Sequence, residues 1–336
     1  MRRFRDLGDL GPGDRGAAVA MGNFDGVHLG HQSVLALAHA AAAELDAPLG
    51  VVTFEPHPRS FFAPDAAPFR LMTGDARARR LEKLGVERLY ELAFDAALAG
   101  LSPEAFVFDV LAGALGVRHV VVGADFRFGK WRAGDAAGLT ALGAAAGFGV
   151  TVAPLVADGQ VDYSSTAIRA ALAEGRPEEA ARILGHWHRI EGPVLHGDKR
   201  GKGLGFPTAN LALDGLHLPK LGVYAVLVDV LDGPHRGRWP GVASIGVRPT
   251  FGGGAPNLEA HLIDFDGDLY GARLSVALIA FQRPELAFAG AEPLVAQMRA
   301  DLAEARARLA RVGQCSRPGG CGCGRGGPAT ARRSRR

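Results

Sequence analysis

The arrangement of apolar segments changes near residue 185, and this change limits the fold more than any single motif does. Before it, short apolar runs alternate with segments whose apolar residues recur at helical spacing. The runs predict strands at Ala17–Met21, Leu49–Phe54, Leu89–Leu92, His119–Gly123 and Val150–Val156. Helices are predicted at His31–Leu45, Asp75–Leu84, Pro103–Leu115, Ser165–Glu174 and Pro177–Leu184. Continuous apolar strands alternating with helices indicate a doubly wound α/β domain, with a parallel sheet covered on both faces.

After Gly185, strand signals predominate and turn residues separate them. The predicted strands are Ile190–Leu195, Ala209–Leu213, Val223–Val230, Val242–Ile245, Glu259–Ile263 and Arg273–Ala280. Asp-Gly pairs at 232–233 and 266–267 are typical of hairpins between antiparallel strands. We therefore expect a small six-stranded antiparallel β-barrel with a C-terminal helix at Glu292–Val312. The predicted domains are residues 1–185 and 186–312, followed by a tail at 313–336.

Length and composition restrict the class of protein. A chain of 336 residues is long enough for two domains, and 48% hydrophobic with 22% charged residues is ordinary for a folded protein. No apolar run approaches the roughly 18 residues that a membrane span needs. The charged N-terminal residues precede no apolar core, so no secretory signal is expected and the predicted compartment is the cytoplasm.

The tail accounts for the basic balance of the chain. Residues 311–336 contain seven arginines and no acidic residue, so removing their charge from the net charge of +3 leaves −4 for residues 1–310. The body therefore gives no electrostatic reason to expect a specific nucleic-acid partner. All three cysteines (Cys315, Cys321 and Cys323) lie in the tail and supply one ligand fewer than a closed zinc site needs. The tail is expected to be disordered.

We expect a chain that ends at Val312 to keep its melting temperature and its activity. The tail has no periodic apolar face, so its removal exposes little buried area. Calorimetry of the truncated and full chains tests this expectation. A large fall in the transition temperature would show that the tail is part of the fold.

The first strand leads into a glycine-rich segment, Gly22–His31, followed by a long helix. The amide groups at the start of a helix attract anions, and glycines allow a ligand to approach the backbone closely. His28 and His31 are three residues apart, so both side chains can reach one anion from the first helical turn. The pattern indicates a phosphate site, although two solvent-facing histidines at a strand–helix turn explain it as well.

Two further segments favour the phosphate interpretation. Ser165 and Thr166 lie at a predicted helix start with Arg169 one turn later, which suits a phosphate cradle, although hydroxyls there also cap helices. Asp125 lies in Gly123–Gly129, directly after a strand, where open α/β sheets bind ligands.

A second candidate site lies in the barrel half, in the basic, glycine-rich segment 197–210. Gly201, Lys202 and Gly205 are candidate phosphate ligands, yet the spacing fits neither a Walker loop nor a dinucleotide motif, and a flexible hairpin is the alternative. Thr208 and Asn210 share one face of a strand and offer the oxygen ligands that Mg²⁺ prefers. Glu259 alternates with apolar neighbours, so it faces away from the barrel interior. It is either a general base or a solvated carboxylate.

The N-terminal half resembles the FMN adenylyltransferase module of prokaryotic bifunctional riboflavin kinase/FAD synthetases. The motifs that carry the resemblance are Gly22–His31, Thr53–Pro58, Gly123–Gly129 and Ser164–Arg169. It implies a Rossmann-like nucleotidyltransferase domain in which His28 and His31 stabilise the α-phosphate of ATP. It further implies that ATP is bound by Gly22, Phe24, Gly30, Ser165, Thr166 and Arg169. Flavin candidates are Asp125, Phe54, Pro56 and Phe62, although core packing explains the aromatic residues equally well.

The C-terminal half resembles the riboflavin kinase module. The matching motifs are Gly205–Asn210, Gly222–Val226, Ser244–Phe251 and Asp264–Gly271. The resemblance implies that Thr208 and Asn210 bind Mg²⁺ with ATP and that Glu259 accepts the proton of the ribityl 5′-hydroxyl. The expected substrates are riboflavin, FMN and ATP, with no membrane and no specific nucleic acid as partner. The alternatives are an enzyme that keeps one of the two activities, and a flavin-binding or RNA-binding regulator.

Overall fold

The computed structural model describes residues 1–154, 157–158, 161–196, 203, 205–247 and 256–315. Its N-terminal strands are β1 (Arg2–Phe4), β2 (Ala18–Met21), β3 (Leu49–Glu55), β4 (Arg88–Ala93), β5 (His119–Gly123), β6 (Arg127–Phe128), β7 (Gly134–Asp135), β8 (Gly149–Ala153), β9 (Ala157–Asp158) and β10 (Val161–Asp162). Six of them form a parallel sheet in the order β1-β4-β3-β2-β5-β8. The pairs β6–β7 and β9–β10 are short and antiparallel.

Helices cover this sheet, as the alternation of segments predicts. They are α1 (Leu29–Glu44), α2 (Pro58–Phe62), α3 (Gly74–Lys83), α4 (Ala96–Gly100), α5 (Pro103–Ala105, continued by a π-helix at Phe106–Ala114), α6 (Ala136–Ala146), α7 (Ser165–Ala173) and α8 (Pro177–Leu184). The predicted doubly wound domain is confirmed. The last two residues of the strand predicted at Val150–Val156 lie outside the described residues.

The order of the strands reverses beside β2. Strands β3 and β4 lie on one side of it, and β5 and β8 lie on the other. In open α/β sheets, ligands bind outside the carboxyl ends of the strands at this reversal. The segments that follow β2 and β5 therefore lie at the predicted ligand-binding edge, and they contain Gly22–His28 and Asp125.

An ionic network beneath this edge ties three strands to α3. Arg77, 1% exposed, donates to Glu55 Oε2 and to Glu91 Oε1, at 3.0 Å each, and to the Asn23 carbonyl at 3.2 Å. Arg3 of β1 donates to the second oxygen of Glu91. Burial alone would raise the pKa of Glu91, but the hydrogen bonds from Arg3 and Arg77 outweigh it and lower that pKa. The network therefore holds the loop after β2 from below.

The C-terminal part is an antiparallel barrel. Its strands are β11 (Arg189–Pro193), β12 (Ala209–Ala212), β13 (Gly222–Val230), β14 (Gly237–Val247), β15 (Pro256–Leu262) and β16 (Arg273–Arg283), in the spatial order β11-β16-β13-β14-β15-β12. The Leu195 amide donates to the Asn210 carbonyl at 2.9 Å and bridges the two edges, so the barrel is nearly closed. The six predicted strands are confirmed, with different ends.

One long helix, α9 (Ala291–Cys315), packs against the barrel. Ala305 and Leu309 lie in a buried cluster with Ile263 and Ile279. The sequence predicts the helix end at Val312, and the structure extends it to Cys315. Residues 316–336, with Cys321 and Cys323, lie outside the described residues. None of the described helices is both long and apolar enough to cross a membrane.

The two halves contact each other through buried and charged groups. Arg79 Nε donates to Glu191 Oε2 at 2.8 Å across the junction. His188 lies in the connection between α8 and β11 and is 4% exposed. Burial, followed by the neighbouring His186 and His217, lowers the pKa of His188 to about 3. The connection therefore buries a neutral imidazole.

We expect the stability of the chain to fall as the pH is lowered from about 6.5 towards 3, in part because of His188. Its ordinary pKa of 6.5 applies to the unfolded chain, which takes up a proton that the folded chain refuses until about pH 3. The thermal unfolding midpoint should therefore decline less steeply between pH 7 and pH 4 for His188→Gln than for the parent. His39→Gln, at an exposed site on α1, is the matched control and should keep the parent slope. Equal slopes for His188→Gln and the parent would contradict the prediction.

Candidate active sites

The first candidate site begins in the loop between β2 and α1. Phe24, Gly26 and Val27 have φ values of 51°, 87° and 46°, so the chain turns sharply within a few residues. The Phe24 ring is 1% exposed and lies 5.1 Å from the ring of His31. The Gly22 amide donates to the Val52 carbonyl at 3.1 Å. The buried ring and this backbone bond fix the loop on the sheet.

His28 and His31 lie together at the start of α1. His28 is the N-cap, and its Nδ1 accepts a hydrogen bond from the His31 amide at 3.3 Å. The two rings stack at 3.6 Å between centroids. A Cβ at Gly30 would lie 3.1 Å from the Tyr163 carbonyl and 3.2 Å from the His28 ring. Glycine therefore allows the segment before α7 to approach the histidine pair.

Both imidazoles are neutral near pH 7. Burial and the nearby Arg169 cation lower the pKa of His28 to about 4, and burial with the neighbouring His28 lowers the pKa of His31. Because His28 Nδ1 is an acceptor, its proton lies on Nε2, which can donate to an anion. His31 Nδ1 is buried and has no hydrogen-bond partner among the described residues. The two uncharged imidazoles can therefore donate hydrogen bonds to a phosphate without adding a positive charge to the site.

Arg169 is held beside this pair by a buried carboxylate. Its NH2 donates to Asp25 Oδ2 at 2.7 Å, and its Nε donates to the Phe69 carbonyl at 2.6 Å. Asp25 is 4% exposed and also accepts from the Leu71 amide at 2.8 Å. Ser165 Oγ donates to the Asp25 carbonyl at 2.9 Å. Asp25 thus connects two of the predicted phosphate ligands, and sequence reasoning missed it because Asp25-Gly26 looks like an ordinary turn.

The three hydroxyl groups at the start of α7 differ in their hydrogen bonds and exposure. Ser164 caps the helix, with its Oγ accepting from the Ala167 amide at 3.2 Å. Ser165 is bound to the Asp25 carbonyl, and Thr166 is exposed. The cap is therefore Ser164, which leaves the Thr166 hydroxyl exposed at the helix start.

The predicted flavin residues divide between the surface and the core. Phe62 is 67% exposed and makes an edge contact with Phe94 at 5.7 Å. Phe54 is buried, and its ring lies 5.8 Å from that of Phe94. Pro56 and Asp125 are exposed, with Asp125 two residues after the end of β5. Phe62 thus presents an aromatic surface, whereas Phe54 packs behind it.

The second candidate site lies where β12 and β15 pair. Asn210 is opposite Glu259 in the ladder, and Thr208 directly precedes β12. Ala209, Leu211, Leu258 and Ala260 lie in the barrel core, so the alternating residues Thr208, Asn210 and Glu259 lie on the other face. Glu259 Oε1 accepts from Asn257 Nδ2 at 3.1 Å. The strand pairing therefore brings the three predicted residues to one surface.

A small cavity of about 40 Å³ lies next to these residues, between the barrel and α9. Its lining residues are Phe206, Val242, His261, Met298, Asp301 and Leu302. His261 Nδ1 donates to the Pro207 carbonyl at 2.8 Å, which fixes the chain just before Thr208. Gly205 is exposed with φ of 83°. Gly201, Lys202 and residues 252–255 lie outside the described residues.

The geometry of these two centres suits a transferase, with one candidate phosphate site on a doubly wound sheet and a second on a barrel. The model of the FAD synthetase family matches residues 12–167, and the model of the riboflavin kinase family matches residues 184–309. The chain belongs to the bifunctional riboflavin kinase/FMN adenylyltransferase family, as the relatives described next also show.

Curated relatives match over most of their length. A bifunctional riboflavin kinase/FMN adenylyltransferase of Pseudomonas fluorescens is 46% identical over 311 residues, which is 92% of this chain and 98% of the relative. The protein of that name from Escherichia coli (strain K12) is 40% identical over 307 residues, covering 91% and 97%. A crystal structure described as a macrolide-efflux protein from Streptococcus pneumoniae has a TM-score of 0.78 at 32% identity, covering 91% of this chain and 98% of that one.

The enzyme catalyses two successive steps of flavin biosynthesis. Riboflavin and ATP give FMN and ADP, and FMN and ATP then give FAD and pyrophosphate. Both predicted activities are confirmed, in preference to a single remaining activity or a regulator. ATP is a substrate of each step.

Proposed function

We propose that adenylyl transfer occurs at the site after β2 and β5, and that riboflavin phosphorylation occurs at the site on β12 and β15. The observation that carries the first assignment is the neutral, stacked His28–His31 pair beside Arg169. The proposed modules are residues 1–185 and 186–312, with 313–336 as a tail outside both.

In adenylyl transfer, a phosphate oxygen of FMN attacks the α-phosphorus of ATP and pyrophosphate leaves. Negative charge builds on the oxygens of the α-phosphate during this displacement, and preorganised donors stabilise it. We assign that role to His28 and His31. Neutral imidazoles suit it because they donate hydrogen bonds without binding the substrate phosphates as tightly as two cations would.

The ATP phosphates are assigned to the start of α7 and the loop after β2. Arg169, fixed by Asp25, supplies the positive charge, and Ser165 and Thr166 contribute hydroxyl groups. Gly22, Phe24 and Gly30 shape the loop so that the phosphates can approach the first turn of α1.

The flavin ring is assigned to the aromatic surface beside this loop. Phe62 is exposed and can stack on the isoalloxazine ring, and Pro56, also exposed, precedes the helix that contains Phe62. Phe54 supports the surface from the core. Asp125 lies at the carboxyl end of β5, where we place the junction of the ATP and flavin sites.

In the kinase step, Glu259 is assigned as the base. It accepts the proton of the ribityl 5′-hydroxyl as the oxygen attacks the γ-phosphorus and ADP leaves. The oxygen atoms of Thr208 and Asn210 fit Mg²⁺, which prefers hard oxygen ligands and supplies charge neutralisation to the ATP phosphates. Gly201, Lys202 and Gly205 are assigned to the same phosphates.

The experiment that tests these assignments follows the two products separately. The full chain is incubated with riboflavin, ATP and Mg²⁺, and riboflavin, FMN and FAD are separated by chromatography over time. FMN should appear first and FAD later, and omission of the metal should stop FMN formation. Substitution of Arg169 by Met should slow FAD formation alone. An equal loss of both products in that variant would contradict the separation of the sites.

A further inference from the structure

The barrel contacts the N-terminal half beside Arg169. The segment between β12 and β13 runs beside residues 69–71 of the N-terminal half, where Leu216 bridges Arg70 in parallel register. The His217 amide donates to the Arg70 carbonyl at 2.8 Å. Leu216 is buried in the barrel core, which fixes this connection on the barrel.

The same barrel segment also holds α7. The Lys220 amide donates at 2.9 Å to the carbonyl of Leu172, in the last turn of this helix. The side chain of His217 reaches one turn further back, with Nε2 placed 3.0 Å from the Arg169 carbonyl. Because a carbonyl only accepts, Nε2 is the donor. Burial lowers the pKa of His217, so the ring is neutral near pH 7 with its proton on this nitrogen.

His217 contacts Arg169 itself and Arg70, whose chain neighbour Phe69 binds the Arg169 side chain. Arg169 is bound through its own carbonyl, and its Nε donates to the carbonyl of Phe69, next to Arg70. The amide of Leu71, the residue after Arg70, donates to Asp25, and Asp25 accepts a hydrogen bond from the Arg169 guanidinium. His217 therefore closes a ring of contacts around Arg169 from the kinase half.

We propose that His217 is a positioning residue for adenylyl transfer: through the Arg169 carbonyl and the 69–71 segment, the kinase barrel sets the position of the guanidinium that binds the ATP phosphates. The proposal rests on the role of Arg169 given under the proposed function. It makes adenylyl transfer dependent on a barrel residue that takes no part in the kinase reaction.

The test compares three substitutions in the full chain. His217→Leu removes the donor at similar size, His217→Gln places an amide donor near the position of Nε2, and His39→Leu makes the same change at an exposed site on α1. The Michaelis constants for ATP are measured separately for FAD formation from FMN and for FMN formation from riboflavin.

We expect His217→Leu to raise the KM for ATP in FAD formation roughly three- to tenfold, the usual effect of losing one neutral hydrogen bond. The kinase constants should stay at the parent values, His217→Gln should restore most of the loss, and His39→Leu should change neither reaction. A parent-like KM in His217→Leu, a Gln variant as impaired as the Leu variant, or a parallel loss of kinase activity would each overturn the proposal.

Arg169→Met separates this proposal from the function on which it rests. If it impairs FAD formation while His217→Leu does not, the positioning role alone is wrong. If Arg169→Met leaves FAD formation unchanged, the phosphate role of Arg169 is wrong, and the proposal for His217 is overturned with it.

Discussion

Glu259→Gln is expected to reduce FMN formation by about 10² to 10⁴-fold, the usual effect of removing a general base. The amide keeps the shape of the side chain and its place opposite Asn210 in the ladder, but it cannot accept the hydroxyl proton. FAD formation from supplied FMN should stay at the parent rate, because we assign that reaction to the other half of the chain. Rates of both reactions are measured on the same preparation.

Glu292→Gln is the matched control for this prediction. It makes the same chemical change at an exposed position near the start of α9, and both rates should be those of the parent. Near-normal kinase turnover in Glu259→Gln would refute the base. Attention would then move to His261, on the same face of β15, and to Asp264, which pairs with Arg306.

The paired substitution of His28 and His31 by Ala is expected to abolish FAD formation while FMN accumulates. Loss of one donor to a developing charge commonly costs about 10² to 10³-fold in rate, and this variant loses both. Riboflavin phosphorylation should be unaffected. A time course from riboflavin should therefore stop at FMN.

The kinase activity of the same variant reports whether the barrel half has folded, and thermal unfolding reports on the N-terminal half. His28 also caps α1 through its Nδ1, so the free energy of unfolding is expected to fall by about 1 kcal/mol, the usual contribution of one N-cap. The thermal midpoint should fall modestly with it. Formation of FAD at the parent rate would show that adenylyl transfer occurs elsewhere.

Strands with continuous apolar runs were predictable, whereas the smallest elements and one alanine-rich helix were not. Strand β1 has three residues and contributes one buried ring, Phe4, so no periodic signal announces it. Its place depends on pairing with β4 and on the Arg3–Glu91 ion pair, which are long-range contacts. Helix α6 was missed because alanine and glycine dominate it and its large apolar residues are only Leu139 and Leu142, too few to mark a buried face.

For the candidate sites, the sequence indicates the candidate residues but not the groups that orient them. Motifs identify His28, His31 and Glu259 because unusual residues stand at fixed spacing beside glycine or strand boundaries. They do not reveal which partner orients each group. Asp25 and His217 act on Arg169 from 144 and 48 residues away in sequence, and only the folded chain brings them together. Phe54 and Phe62 look alike in sequence, yet the fold buries one and exposes the other.

The charge network around Arg77 should limit which substitutions this family accepts at the network positions. Loss of Arg77 takes one arginine partner from each of Glu55 and Glu91, which then keep Arg70 and Arg3. Breaking a buried ion pair costs up to about 3–5 kcal/mol, which is a large part of the stability of a typical domain. Descendants that lose Arg77 are therefore expected to change Glu55 or Glu91 in the same lineage. Arg77 also holds the carbonyl of Asn23. Substitutions in α3 are therefore expected to co-vary with substitutions in the loop after β2.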